Sequence, residues 1–299
     1  MRFAILLIIL ALLGAAVDKF DPATHKKEVE EWRANRIQRL KSEDGWLTLV
    51  GLFWLQEGDN SFGSDPSNKL VFPKDKAPAK AGSLHLEKGT VHLQVQPGVT
   101  ITSDGKPVTS LVLKSDADGE PTTLDLGSLR FFVIDRMGKL GIRLKDRENP
   151  LRKSFQGVDS YPIDAKWRIE AKFEPYKPEK KIPILNILNM LEDTPSPGAL
   201  VFDVNGKTYR LDAVLEKGET DYFIIFGDQT NGKETYGAGR YVYVSPAGPD
   251  GKVILDFNKA YNPPCVFSHF ATCPLPPPQN KLALRVEAGE KKFVAPEHH

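Results

Sequence analysis

Net charge, cysteine and recognisable catalytic signatures are all scarce in this sequence, and each shortage closes off a class of function. Forty basic against 39 acidic side chains leave a formal charge of +1, so no excess field draws the protein to nucleic acid or anionic lipid. No basic patch is interleaved with aromatics and no recognition-helix pattern occurs, which argues against nucleic-acid binding. G-x-S-x-G, H-E-x-x-H, G-x-x-x-x-G-K-[ST] and a G-x-G-x-x-G following a strand are all missing. The G-x-G of "YGAGRY" leads into a strand, which marks a turn and not a nucleotide cradle. No cofactor and no resident metal are expected.

Long apolar runs are also missing after the first residues. In "MRFAILLIILALLGAAVDKF", Arg2 precedes an unbroken apolar run from Phe3 to Leu13, and Gly14, Ala15 and Ala16 supply the small residues of a cleavage site. The run falls short of the roughly 20 residues that span a bilayer. We therefore read 1–16 as a signal peptide, with the mature chain secreted or periplasmic and without a stable membrane anchor after cleavage. N-terminal sequencing of the mature protein is expected to begin near Val17; a start at Met1 contradicts export with cleavage.

What remains is ordinary in composition, 40% hydrophobic and 26% charged, and long enough for a substantial core. "DPATHKKEVEEWRANRIQRLKSEDG" predicts one amphipathic helix within 17–45. Either Asp21 caps it, with Pro22 at the first position, or Thr24 does. Val29, Trp32, Ile37 and Leu40 form the apolar stripe. From 46 onward the pattern is of short strands punctuated by Gly, Pro, Asn and Asp. Hairpins are expected at Lys88-Gly89 and Asn205-Gly206. A further strand is expected at "KLALRVE". The fold class is mainly β, an antiparallel sandwich or barrel with the helix packed outside. Residues 46–299 form the β domain; if it divides, the composition of "EPYKPEKKIP" (174–183) marks the boundary.

Three groups of residues carry candidate chemistry. The stretch "AYNPPCVFSHFATCPLPPPQNKL" holds both cysteines and six prolines. In an exported chain, Cys265 and Cys273 are expected to pair as a disulfide, stabilising by roughly 2–3 kcal/mol. A thiol nucleophile and a Cys265–His269–Cys273 metal site are the alternatives, the latter lacking a fourth ligand. His85 and His92 face each other across the Lys88-Gly89 hairpin, on its polar face, and read as a solvated pair.

The third group lies in "GDQTNGKETYGAGRYVYV" and "VILDFNKAYNPPC". The turn "PAGPDG" should fold Arg240–Val244 back on Val253–Asn258. That would bring Tyr236, Arg240, Asp256, Asn258, Tyr261 and Asn262 toward one end of a hairpin, with Asp228, Thr230 and Glu234 approaching. One reading is that these groups satisfy one another. The functional reading is a ligand-binding pocket for a sugar or carboxylate. A hydrolase is the alternative, with Asp256 or Glu234 as general base and Arg240 or Tyr236 stabilising developing charge. A structural or envelope-interaction role is the third option.

Between about Trp32 and Lys291 the chain resembles the bacterial and archaeal domain-of-unknown-function 1684 family. The resemblance rests on "DGWLTLVGLFWLQEGDNSFG", "RLKDRENPLRKSFQGVDSYPID", "TNGKETYGAGRY", and "LDFNKAYNPPC" with "CPLPPPQNKL". It implies no particular activity or catalytic set. It does imply that proline is usual at the position of His269. Both cysteines belong to the family motif, and relatives without export signals would hold them as thiols, which behave as small hydrophobes when buried.

Overall fold

The computed structural model describes residues 20–293. The expected leader (1–16) and the tail histidines His298 and His299 lie outside the described residues. The N-terminal helix runs over Pro22–Lys41, capped by Asp21, whose carboxylate accepts from the backbone N–H of Ala23 and Thr24 at 3.3 and 3.0 Å. Thr24 is thus a recipient of the cap. The buried face of the helix holds His25, Val29 and Leu40, with Trp32, Arg33, Arg36 and Ile37 half-buried. The expected apolar stripe is therefore half cationic, because the surface beneath it is acidic, as described below.

The fold is mainly β and antiparallel, as expected. Its N-terminal part is built from two sheets. One is ordered Leu49–Trp54, Lys139–Asp146, Leu129–Arg136, Leu124–Leu126, Ile101–Ser103, Lys106–Val108. The other is ordered Leu70–Val71, Gly58–Gly63, Gly82–Glu87, Thr90–Val95, Ser110–Leu113. Phe62, Leu84 and Leu93 from the second sheet share a core with Phe131, Ile142 and Leu144 from the first. Strict alternation makes this possible, since every second side chain of each strand points inward. Lys88 and Gly89 both adopt positive φ, the two-residue turn that matches strand twist. His85 and His92 are cross-strand partners, and His85 Nδ1 lies 2.7 Å from Asp59 Oδ1 at the surface.

The C-terminal part has a second core. A four-stranded sheet is ordered Lys207–Ala213, Leu191–Val204, Arg168–Leu185, Lys252–Asp256, and a two-stranded one pairs Tyr222–Phe226 with Arg240–Val244. Asn205 and Gly206 turn the chain as expected. The boundary candidate 174–183 is no linker. It lies within the strand Arg168–Leu185, whose pairing shifts register between Pro175 and Lys180.

Two local expectations are corrected. Arg240–Val244 and Lys252–Asp256 do not form a hairpin: the first pairs with Tyr222–Phe226, the second with Arg168–Lys172. Val242, Val244, Val253 and Leu255 all enter one core, so each strand joins a different sheet over a shared apolar interior. "KLALRVE" is not a strand either. Leu282, Leu284 and Val286 are buried in alternation, but the backbone groups go elsewhere. Leu282 N–H donates to Gly227 O, the carbonyl of Leu284 accepts from Gln229 N–H, and that of Val286 accepts from Arg240.

Candidate functional site

The polar groups expected to line a pocket are instead tied into three separate buried knots. In the first, the Arg240 side chain has no solvent exposure and faces the equally buried Asp228 carboxylate at 3.3 Å. Its Nη groups also donate to the carbonyls of Val286 (2.9 Å), Ala288 and Glu290 (3.4 Å), while Nε is buried without a partner. Burial lowers the guanidinium pKa, and the charge of Asp228 opposes that shift. Asp228 also accepts from Thr230 Oγ1 and from Val286 N–H at 2.7 Å. Neither ion has a free face for a ligand.

The second knot joins the helix to the C-terminal sheet. His25 Nε2 lies 2.8 Å from Asp256 Oδ2, and Asp256 Oδ1 accepts from the Asn258 N–H and side-chain amide. Asn258 in turn brackets the backbone of Asp164, donating to its oxygen and accepting from its N–H. The third knot is Glu290. Its carboxylate accepts from Arg36 and from the Asn262 N–H, at 2.7 Å for the latter. The Arg36 guanidinium covers the Tyr261 ring at 4.4 Å. Arg240, Asp256, Asn258, Tyr261 and Asn262 are therefore close in sequence but act as fasteners for the helix and the 286–291 segment. Their partners His25, Arg36 and Glu290 carried no local signal of this role.

Glu234 is held in a comparable way. Its oxygens accept from Arg285 Nη2 at 2.6 Å and the Tyr161 hydroxyl at 2.7 Å. The hydrogen bond from Arg285, followed by that from Tyr161, lowers its pKa below the usual carboxylate range.

Tyr236 is the exception among the expected site residues. It faces a cavity of about 370 Å³ between two irregular segments. One is the turn closing the hairpin of Arg168–Leu185 and Leu191–Val204, which supplies Ile187 and Leu188. The other is the proline-rich loop, which supplies Cys265, Val266, His269 and Ala271; Phe293 completes the lining. The two segments are laced together. Ile187 N–H donates to Cys273 O at 2.9 Å, and Leu275 N–H donates to Leu185 O at 2.8 Å. The Tyr241 hydroxyl donates to Pro274 O at 2.6 Å, and Ser268 Oγ to Leu49 O at 3.0 Å.

These bonds pin the loop without the expected disulfide. Cys265 and Cys273 are both buried and unbonded, and the Cys265 N–H donates to Cys273 Sγ at 3.0 Å. His269 is exposed at the cavity wall. Among the described residues no group of three His, Cys, Asp or Glu side chains is arranged to hold a metal.

The sequence profile that matches this chain, over residues 153–291, is described as "Protein of unknown function (DUF1684)". The chain belongs to this family. The matched DUF1684 stretch contains every lining residue of the cavity except Phe293. A solution NMR structure of an uncharacterized protein from gene locus rrnAC0354 of Haloarcula marismortui is 31% identical. The match covers 48% of this chain and 80% of that one, with a TM-score of 0.40. The FhaA FHA domain, crystallised with the intracellular domain of Rv3910, is 16% identical over 31% of this chain and 97% of that one, with a TM-score of 0.23. An FHA domain solved for phosphothreonine-dependent interactions is 18% identical over 33% of this chain and 96% of that one, also at 0.23. These overlaps are too small to bear on the fold. No curated protein matches the chain.

In this DUF1684 protein the cavity beside the cysteine loop thus brings the Cys265 thiol and the His269 imidazole to a common open space with the Tyr236 phenol. The sequence grouped Cys265 with His269 as an alternative metal site and placed Tyr236 in a different cluster. The wall they share comes from Ile187 and Leu188, about fifty positions before Tyr236 and nearly eighty before Cys265.

Proposed function

We propose that the protein binds a small, predominantly apolar molecule in the cavity of its C-terminal half. The Tyr236 hydroxyl, the Cys265 thiol and the His269 imidazole are the polar groups that orient it. The observation that carries this reading is the cavity itself: about 370 Å³, within the range of small-molecule sites, with apolar walls and a few polar heads. Leu185, Ile187, Leu188 and Leu191, each more than a third exposed around the hairpin turn, extend an apolar rim beyond it. No lysine or arginine lines the cavity, which favours an apolar-bodied ligand over the sugar or carboxylate first expected.

Hydrolysis by Asp256 or Glu234 has weaker support, because the carboxylate oxygens of both are already engaged. The test is a Leu188→Glu substitution at the partly exposed rim, with anilinonaphthalene sulfonate as the fluorescent probe. A carboxylate brought into an apolar site must be desolvated, so the probe's affinity should fall at least tenfold, about 1.4 kcal/mol. The thermal transition should be unchanged. Equal affinity for the parent and Leu188→Glu overturns the assignment of the site.

A further inference from the structure

The two cysteines are not equivalent with respect to this cavity. Cys265 lines it, while Cys273 lies behind, only 4% exposed and absent from the lining. The Cys273 sulfur nevertheless lies within hydrogen-bonding distance of the Cys265 backbone, at 3.0 Å. A molecule in the cavity thus meets one thiol, and the second is within reach of the first.

We propose that Cys265 is the attacking thiol and Cys273 the resolving thiol of a site that reduces small, apolar-bodied disulfides. This inference rests on the reading of the cavity as a ligand site and names its substrate class.

The electrostatics agree with that order. The hydrogen bond from the Cys273 thiol holds Cys265 below the ordinary thiol range against the opposing effect of burial, and the Tyr236 hydroxyl adds a second bond. The same sulfur–sulfur hydrogen bond, together with burial, pushes Cys273 well up. Cys265 is therefore the more readily ionised of the two thiols and Cys273 the one that holds its proton longer, and the thiolate is the nucleophile.

An independent feature supplies positive charge behind the pair. Arg143, on the strand Lys139–Asp146, is 6% exposed, and the Asp116 carboxylate that acts on it is paired with Arg136 at 2.8 Å. Its Nε has no partner, and its Nη2 lies 3.4 Å from Thr272 Oγ1, next to Cys273. Desolvation, helped by the charge of Arg136, drops its pKa to about 10, and the charges of Asp116 and then Cys273 act against that drop. A buried guanidinium beside Cys273 favours the anionic form that this sulfur must take in the resolving step.

The steps balance. The Cys265 thiolate attacks one sulfur of the substrate, forming a protein–substrate disulfide and expelling the first substrate thiolate. Cys273 gives up its proton, which that thiolate takes up through solvent, and attacks the Cys265 sulfur. The second substrate thiolate leaves and is protonated. Two electrons pass from the dithiol to the substrate, the products being two thiols and a Cys265–Cys273 disulfide.

The test treats the full chain with dithiobis(nitrobenzoate), an aryl disulfide, and follows released thiolate and protein mass. The native parent should release two equivalents and retain no adduct. Cys273→Ser should release one and hold a single aryl thiol on Cys265, and Cys265→Ser should lose the native reaction. The pH midpoint of the Cys273→Ser reaction should shift up toward the ~8.5 of an unperturbed thiol, because the Cys273 hydrogen bond is lost, while the reaction stays faster than in the denatured chain. Reaction only after denaturation, a lasting adduct on the parent, or native reaction of Cys265→Ser through Cys273 overturns the proposal. Anilinonaphthalene sulfonate binding to the parent is measured in parallel. Retained binding with no thiol exchange in the parent sinks the chemistry alone, whereas no probe binding in the parent sinks the ligand site.

Discussion

Arg240→Ala is expected to destabilise the protein by about 3–5 kcal/mol, the cost of leaving one member of a buried ion pair without its partner. Asp228 would keep its charge with no exposed face, and the carbonyls of Val286, Ala288 and Glu290 would each lose a donor. In a chain of this size that corresponds to a drop in Tm of roughly 5–20 °C. Arg240→Lys should recover little of it, because an ammonium cannot reproduce the fork that reaches a carboxylate and three carbonyls at once. The folded fraction should bind the cavity probe normally. A variant that melts like the parent yet loses ligand would restore Arg240 to a binding role.

The second large effect is expected at Glu290. Its carboxylate is 5% exposed as a residue and bonds Arg36 through two nitrogens and Asn262 through the backbone. Burial lowers the pKa of Arg33, on the same helix, and the charge of Glu290 is the first counterweight. Glu290→Ala therefore leaves two partly buried guanidinium groups facing each other's field, a loss again of about 3–5 kcal/mol. It should be concentrated where the helix meets the 286–291 segment. Hydrogen exchange is the measurement: amides of Pro22–Lys41 should lose protection before those of the sheet 49–146. Protection unchanged in the helix would mean that Val29, Leu40 and the His25–Asp256 contact hold it without Glu290.

Local periodicity made the strand-rich fold, the Asp21 cap and the hairpins at Lys88-Gly89 and Asn205-Gly206 legible, because each depends on neighbours within a few residues. The same locality misled at "PAGPDG", where a strong turn signal suggested a hairpin. The flanking strands find better partners at 168–172 and 222–226, where each closes an apolar sheet face. "KLALRVE" shows the limit of alternation as a criterion. Its side chains alternate as a strand's do, but its backbone bonds go to Gly227, Gln229 and the Arg240 side chain and not to a regular ladder.

The candidate site was legible only in pieces. Polar residues clustered between 228 and 262 read as a pocket because their true partners, His25, Arg36 and Glu290, lie far away in sequence. The cysteines read as a staple because neither the hydrogen bonds pinning the loop nor the cavity in front of Cys265 can be inferred from spacing. Tyr236 entered the expected set for its place in a polar loop; its role follows from a wall supplied by Ile187 and Leu188.

The order in which the chain is made bears on the helix. His25 and Asp256 are 231 positions apart, and Arg36 and Glu290 are 254 apart. The helix Pro22–Lys41 thus waits for residues at least 231 positions later before these partners exist, since closing such separations is slow and unrewarded until both ends exist. During that interval the two N-terminal sheets can form while Val29 and Trp32 stay open to water, and it is then that a chaperone would find the nascent protein most accessible.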